Sequence, residues 1–189
     1  MEMTMRCPWC GDDPLYVAYH DNEWGRLMPD DERRLFKFLV LESAQAGLSW
    51  ITILRKRDGY REAFYGFDAE KVAQMTADDV ERLTHFDGIV KNRRKIEATI
   101  HNARLFLDVQ KEFGSFHAYI CSFLPDGKPI VNNPKTLADI PATSSVSDAI
   151  SKDMKRRGFK FFGSTICYAF LQAAGYVNDH FVDCFCKQG

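Results

Sequence analysis

Apolar side chains recur along most of this chain at the spacing expected for α-helices that are buried on one side. In the segment from about 91 to 112, Ile96, Ile100, Ala103 and Leu107 follow one another at intervals of four, three and four residues. Such intervals place the four side chains on one helix face. The alternation typical of half-buried β-strands is nearly absent, so the pattern predicts an all-α fold.

Start and stop signals divide the chain into predicted helices. Aspartate, serine or threonine precedes most apolar stripes, where its side chain can cap a helix, and glycine follows several of them. The segment 125–129 predicts a turn with room for short flanking strands. The predicted helices cover 14–24, 31–47, 50–57, 69–75, 77–84, about 91–112, 116–123, 147–157 and 164–175.

Composition restricts the class of protein. A chain of 189 residues has the size of one domain, so 1–189 is expected to form a single unit. Hydrophobic residues make up 46% of it, and 25 basic and 26 acidic residues nearly cancel, which excludes a disordered or histone-like protein. Neither a membrane helix of about 20 apolar residues nor the apolar stretch of a signal peptide is recognisable. A cytosolic location, no membrane partner and, by default, a monomer are therefore expected.

Cysteine and histidine residues at the two chain ends indicate a metal site. Thiols stay reduced in the cytosol, so the cysteines are interpreted first as metal ligands or buried thiols. His180 and Cys184 are four residues apart, and Cys7 and His20 lie near the start. Two cysteines and two histidines can form a closed tetrahedral zinc site. The spacing leaves other ligand sets open, because Cys10 and Cys186 are also available.

One carboxylate falls on a face that should be apolar. Leu35, Phe38, Leu39 and Glu42 share one face of the helix predicted over 31–47. A buried carboxylate without a partner is costly, so Glu42 either forms a structural ion pair or serves a ligand.

Aromatic residues cluster in sequence around the helix that carries Glu42. They are Trp9, Tyr16, Tyr19, Trp24 and Trp50. Tyr16 and Tyr19 lie three residues apart and therefore on one helix face. The cluster could hold a flat heteroaromatic ligand whose edge is bonded by Glu42, although aromatic residues at helical spacing are more often part of a core.

A basic helical hairpin is the third candidate site. One predicted helix ends near Thr84, a turn containing Gly88 follows, and four cations occur between Lys91 and Lys95. Backbone N–H groups at such a turn and basic side chains beside it can bind a phosphate of nucleic acid. The alternative is an ordinary helical hairpin with a solvated basic face.

Several ordered motifs together resemble the bacterial 3-methyladenine DNA glycosylase I family, whose members are helix–hairpin–helix alkylpurine glycosylases. The resemblance covers almost the whole chain. It is carried by 13–16, 19–25, Leu41-Glu42, 45–50, 157–161, 165–168 and 178–180.

The resemblance implies a role for particular residues. A structural Zn²⁺ would be bound by Cys7, His20, His180 and Cys184, and it would join segment 1–25 to segment 176–189. The base pocket would contain Glu42, Trp9, Tyr19 and Trp50, with Tyr16 on the same helix face as Tyr19. A DNA-penetrating loop would contact DNA through Gly47 and Leu48. A helix–hairpin–helix over about 77–112 would contact it through Gly88, Val90, Lys91, Arg93, Arg94 and Lys95.

The implied activity is base-excision repair. Double-stranded DNA with alkylated purines would be the substrate, and hydrolysis of the N-glycosidic bond would release 3-methyladenine and leave an abasic site without strand cleavage. Glu42 would recognise the base and is the one candidate catalytic residue. Two rivals remain at this point, namely a zinc-stabilised DNA-binding adaptor without catalysis and a zinc hydrolase with an open metal position.

Overall fold

Ten α-helices dominate the computed structural model, which describes residues 5–187. They are α1 (Pro14–Asn22), α2 (Glu32–Gln45), α3 (Trp50–Arg55), α4 (Arg57–Ala63), α5 (Ala69–Ala73), α6 (Ala77–Thr84), α7 (Arg93–Phe113), α8 (Phe116–Cys121), α9 (Ser145–Arg157) and α10 (Ser164–Ala174). The predicted all-α class is confirmed for these residues, apart from two short strands. The outermost parts of the predicted terminal segments, residues 1–4 and 188–189, lie outside the described residues.

The two strands join distant parts of the chain. Strand β1 (Ile130–Val131) pairs in parallel with β2 (Val177–Asn178), with Ile130 opposite Val177. Strand β1 follows the predicted turn, which forms a short 3₁₀ turn at Pro125–Gly127. The pairing fixes the segment after α10 against the middle of the chain.

Side-chain caps explain where most helices begin. Asp13, Asp31 and Asn92 each accept a hydrogen bond from a backbone N–H in the first turn of α1, α2 and α7. Thr76 and Asp79 form the capping box that the sequence predicts for α6. These side chains satisfy backbone donors that have no partner inside the helix.

Several helix ends differ from the prediction by one or two residues, and two of these differences have a clear cause. The helix predicted over 50–57 ends at Arg55, and a further helix, α4, runs through Gly59, where a stop was expected. Helix α9 starts at Ser145 after the cap Ser144, two residues before its predicted start. Ser147 accepts the backbone N–H of Ser144 and so completes the cap from inside the first turn.

Helix α2 occupies the middle of the core and carries Glu42 near its end. It packs against α3, α7, α8 and α10, and most of its side chains from Arg34 to Ala44 are buried. Helices α5 and α6 pack on α7, and α9 packs on α10. No helix in the described range has the length and apolarity to cross a bilayer.

Gly59 remains inside α4 because the helix touches the turn before α7. A Cβ added at Gly59 would lie 2.0 Å from the carbonyl oxygen of Gly88. Only a residue without a side chain permits this approach, which places α4 directly behind the basic turn.

Gly59→Ala should therefore destabilise the protein, even though alanine favours helices by about 1 kcal/mol over glycine. We expect a loss of about 2 kcal/mol and a Tm lower by roughly 4–8 °C, because the turn must move away from α4. Thermal unfolding measures the effect. The control is Gly163→Ala, where the backbone φ is −76° and the added Cβ meets nothing within 4 Å. A Tm that stays equal for Gly59→Ala and wild type would contradict the close approach.

Candidate functional site

A cavity of about 290 Å³ opens between α1, α2, α10 and the start of α3. Residues outside these helices, at positions 9, 24, 137 and 140, complete its wall. This volume is at the small end of the range for ligand pockets, which suits one flat ring system. Its lining consists of Trp9, Tyr16, Tyr19, Trp24, Glu42, Gln45, Trp50, Leu137, Ile140, Ala169 and Gln172. Aromatic rings thus make up much of the wall, as the sequence suggested.

Glu42 is the only acidic residue of this lining. Its side chain is 3% exposed, and its Oε2 atom has no hydrogen-bond partner among the described residues. Because burial penalises the charged form, the pKa of Glu42 is raised to about 8. No Lys, Arg or His within residues 5–187 forms an ion pair with it, so the structural ion pair considered from sequence is wrong for this part of the chain.

The predicted aromatic residues surround this carboxyl group. The rings of Tyr19 and Trp50 have centroids 5.4 Å apart at an interplanar angle of 46°. The ring centroid of Trp9 lies 5.3 Å from that of Tyr16 and 4.8 Å from that of Trp24. The electron-rich faces of such rings attract cations, so the wall and the carboxyl group favour the same kind of ligand.

The four predicted metal ligands meet at one point. The ligand atoms of Cys7, His20, His180 and Cys184 all lie within 4.8 Å of one another, and the four residues are buried. The Cys184 sulfur is 3.4 Å from His20 Nε2 and 3.6 Å from His180 Nδ1. A tetrahedral zinc ion with ordinary bond lengths places sulfur and nitrogen ligands about 3.6 Å apart. The donor set and its spacing therefore fit a metal ion.

Neighbouring groups orient these donors. Asp21 accepts a hydrogen bond from His20 Nδ1 at 2.8 Å and is itself held by Arg6. The backbone N–H of Phe181 donates to the Cys7 sulfur at 3.3 Å. Outer partners of this kind are typical of metal-binding histidines and thiolates. Cys10 takes no part in the four-residue group, because its thiol donates to the Cys7 carbonyl oxygen at 3.2 Å.

Some of the residues predicted to contact DNA are accessible to solvent at the basic turn between α6 and α7. Gly88 and the exposed Arg94 lie at this turn and at the start of α7. Lys91 is paired with Asp87, and Arg93 with Glu81. These pairs are exposed, so a phosphate can compete for the cations. The backbone N–H of Val90 donates to the hydroxyl of Tyr60 at 3.3 Å.

Lys95 faces a different part of the molecule. Its ammonium group donates to the carbonyl oxygens of Ala44 at 2.9 Å and Ala46 at 2.6 Å, at the end of α2. Lys95 thereby ties the start of α7 to the loop that contains Gly47 and Leu48. That loop is accessible: Gly47 has a φ of +80° with open space around it, and Leu48 is 39% exposed.

Sequence reasoning missed part of the cavity wall. Ala169 and Gln172 come from α10, and Leu137 and Ile140 come from a turn more than ninety residues after Glu42. Gln45 lies on the same helix as Glu42, one turn along from it. The three-residue interval between Ala169 and Gln172 gives a common helix face, but nothing local shows which cavity that face lines.

The helical fold, an aromatic cavity around one buried carboxyl group and an exposed basic turn fit the class of proteins that the sequence motifs resemble, the DNA glycosylases. Comparisons with known proteins identify the family. The sequence model of the methyladenine glycosylase family matches residues 9–187. The chain therefore belongs to the methyladenine glycosylase family, whose members are hydrolases that act on N-glycosyl bonds.

Characterised relatives support the assignment over nearly the full length. DNA-3-methyladenine glycosylase 1 of Escherichia coli (strain K12) is 51% identical over 184 residues, covering 97% of this chain and 97% of the relative. DNA-3-methyladenine glycosylase of Haemophilus influenzae is 48% identical over 186 residues, covering 98% and 99%. The crystal structure of a tyrosine-to-phenylalanine variant of a 3-methyladenine DNA glycosylase I, in complex with 3-methyladenine, has a TM-score of 0.93 at 42% identity, covering 97% and 98%.

Glu42→Gln should stabilise the protein increasingly as the pH rises from about 4.5 to about 8. Since the pKa of Glu42 is raised on folding to about 8, its contribution to stability is fully present below the unfolded pKa. That contribution is lost as the pH approaches the folded pKa. Glutamine does not titrate, so the Tm of the variant should gain on wild type across this window. The gain should correspond to a few kcal/mol at most, at about 1.4 kcal/mol per pH unit.

Thermal unfolding at several pH values measures this difference. The control is Glu62→Gln, at an exposed position of α4. A Tm difference between Glu42→Gln and wild type that does not change with pH would show that Glu42 ionises freely in the folded protein.

Proposed function

We propose that this protein excises 3-methyladenine from alkylated double-stranded DNA in base-excision repair. The observation that carries the proposal is the buried carboxyl group of Glu42, which has no hydrogen-bond partner among residues 5–187, in a cavity walled by Trp9, Tyr16, Tyr19 and Trp50. The relatives named for this activity, and the complex with 3-methyladenine in that family, support it.

Charge is the basis of recognition. Methylation at N3 gives the adenine ring a positive charge, whereas normal adenine is neutral. At neutral pH the raised pKa keeps Glu42 mostly protonated in the free protein. A cationic base in the cavity supplies the counter-charge that the carboxylate lacks, so Glu42 ionises as the base binds. A neutral base offers no such compensation and competes poorly.

The aromatic wall adds to the same selectivity. Tyr19 and Trp50 contact the flat faces of the base, and Trp9 lies behind them with Tyr16. Cation–π attraction is worth about 2 kcal/mol or more in a desolvated site. The enzyme extrudes the nucleotide from the duplex to reach this cavity, which costs a few kcal/mol and is cheapest for a damaged base.

Bond cleavage requires little further chemistry. The positive charge already weakens the bond from the base to the sugar, and the electrons of that bond neutralise the leaving base. Departure of the neutral base leaves a cationic sugar carbon, to which water adds and from which one proton is lost to solvent, giving an abasic site and free 3-methyladenine. Glu42 stays ionised beside the base and is the catalytic residue in the sense that it touches the leaving group. No lysine of the described residues lines the cavity, so we propose no Schiff base and no strand cleavage.

DNA binding uses the turn between α6 and α7, which we propose is a helix–hairpin–helix. Backbone N–H groups of the turn around Gly88, together with Lys91, Arg93 and Arg94, bind the phosphates. The N–H of Val90 instead bonds the hydroxyl of Tyr60 and holds the turn in place. Leu48, on the exposed loop after α2, fills the space left by the extruded nucleotide, and Gly47 allows the loop to approach the duplex. Lys95 does not contact DNA in this proposal but holds the loop in position through its hydrogen bonds to the end of α2.

We propose that Cys7, His20, His180 and Cys184 bind one structural Zn²⁺. The ion supplies no step of the reaction. It cross-links the start of the chain to its end, beside Trp9 and Trp24, and thereby supports one wall of the cavity. The whole chain 1–189 then acts as a single glycosylase domain, and we propose a cytoplasmic monomer.

The two rivals predict other behaviour. A DNA-binding adaptor would need the basic turn but gains nothing from a buried carboxyl group in an aromatic cavity. A zinc hydrolase keeps a coordination position for substrate, whereas here four protein donors converge and leave none.

Release of the base from methylated DNA tests the proposed activity. The wild-type chain should release 3-methyladenine from methylated DNA, and Glu42→Ala should lower this release at least tenfold while leaving affinity for undamaged DNA nearly intact. Chromatography of released bases and a binding titration measure the two effects. Glu62→Ala, at an exposed position, is the matched control. If wild type releases no base, the non-catalytic DNA-binding adaptor is the better hypothesis.

Removing one thiol tests the metal site. Cys184→Ser should lower the zinc content and the Tm, with a smaller effect on activity per folded molecule, because the ion holds the chain and does no chemistry. Cys10→Ser alters a buried thiol next to the group and should retain one zinc per chain. Elemental analysis and thermal unfolding provide the measurements. Wild-type protein purified without zinc would refute the site.

A further inference from the structure

A buried hydrogen-bond network lies behind the cavity wall formed by α10. Its centre is Asp179, which is 1% exposed and follows strand β2. Its Oδ2 atom accepts hydrogen bonds from the hydroxyl of Tyr168 at 2.6 Å and from Nε2 of Gln172 at 2.8 Å. Its Oδ1 atom accepts from Nδ2 of Asn132 at 2.8 Å. A buried carboxylate with this many donors is fixed in place.

The network orients one side chain of the cavity. Tyr168 and Gln172 are four residues apart on α10 and bond the same carboxylate oxygen, but only Gln172 also lines the cavity. The NH₂ end of Gln172 faces Asp179, because an amide N–H donates to a carboxylate oxygen and an amide oxygen has no hydrogen to donate. Its carbonyl oxygen, Oε1, receives no hydrogen bond from residues 5–187 and is the polar end left for the cavity.

We infer that Gln172 is a specificity-determining residue of the base cavity and that Asp179 is its positioning residue. The inference rests on the proposed function and extends it. Gln172 presents a fixed hydrogen-bond acceptor on the α10 wall, in addition to the carboxyl group of Glu42 on α2. Both groups favour a base that offers N–H donors or positive charge, and the amide oxygen of Gln172, which can only accept, disfavours a base that presents a carbonyl oxygen to it.

The two short strands have a functional reason in this arrangement. Parallel pairing of Ile130–Val131 with Val177–Asn178 places Asn132 and Asp179 side by side just beyond the strand ends. Asp179 also directly precedes His180, one of the four convergent Cys and His residues. The position of the tail of the chain therefore determines which end of the Gln172 amide faces the ligand.

Matched variants separate the cavity role from the structural role. Gln172→Leu and Tyr168→Phe each remove one hydrogen bond to the same oxygen of Asp179, but only Gln172 lines the cavity. We expect Gln172→Leu to weaken binding of free 3-methyladenine about tenfold or more. Both substitutions should lower the Tm by similar amounts, but Tyr168→Phe should keep the affinity for 3-methyladenine within about twofold of wild type. Titration by tryptophan fluorescence suits the measurement, because Trp9, Trp24 and Trp50 line the cavity.

A double-mutant cycle tests the positioning role of Asp179. Asp179→Asn should weaken binding of 3-methyladenine in the wild-type background and add almost nothing in the Gln172→Leu background, because it acts through Gln172. If Gln172→Leu does not fold, Gln172→Met removes the amide at similar length. Additive effects of the two substitutions would overturn the positioning role.

The outcomes distinguish this inference from the proposed function. If wild type binds and releases 3-methyladenine but the Gln172 variants retain wild-type affinity, the inference is wrong and the function stands. If wild type neither binds nor releases 3-methyladenine, the proposed function fails and this inference fails with it.

Discussion

A carboxyl group buried without a cationic partner is the constraint on which the rest of this structure depends. Ionising Glu42 inside the protein is expensive, and no side chain of the described residues compensates that cost. The residues around it provide aromatic rings in place of a cationic side chain. In the proposed function, a ligand that carries a positive charge compensates this cost, so the cavity favours it over a neutral ligand.

Several contacts that look structural are connected to this cavity. The Cys and His residues hold the two chain ends beside Trp9 and Trp24, and the short parallel strands place Asp179 behind Gln172. Lys95 joins α7 to the end of α2, one turn beyond Glu42. Each of these contacts links segments that are far apart in sequence, and each fixes a different side of the cavity or of the loop beside it.

The chain's charge is arranged in exposed pairs near the basic turn. Lys91 and Arg93 each have an acidic neighbour, and such surface pairs contribute little to stability. In the proposed function, exchange of one of these carboxylates for a DNA phosphate is therefore cheap. On that proposal, a protein with a net charge of −1 can still present a cationic surface to DNA.

Local signals in the sequence determined the helices and the chemistry of the candidate residues. The stripe Leu35, Phe38, Leu39 placed Glu42 in the core, and the caps at Asp13 and Thr76 located helix starts, because these signals act within one or two helical turns. Resemblance to a known family then selected one ligand set among the cysteines and histidines, and the structure brings those four residues together.

Packing decided the rest. Gly59 resembled a helix stop, yet it lies inside α4 because its lack of a side chain lets Gly88 approach. Lys95 resembled another phosphate ligand but bonds carbonyl oxygens at the end of α2. The sequence places Gln172 on one helix face with Ala169 but does not show its proposed role, because that role depends on a carboxylate that follows a strand pair near the end of the chain. Contacts between segments far apart in sequence leave no local pattern, and only the assembled fold shows which polar group faces the cavity.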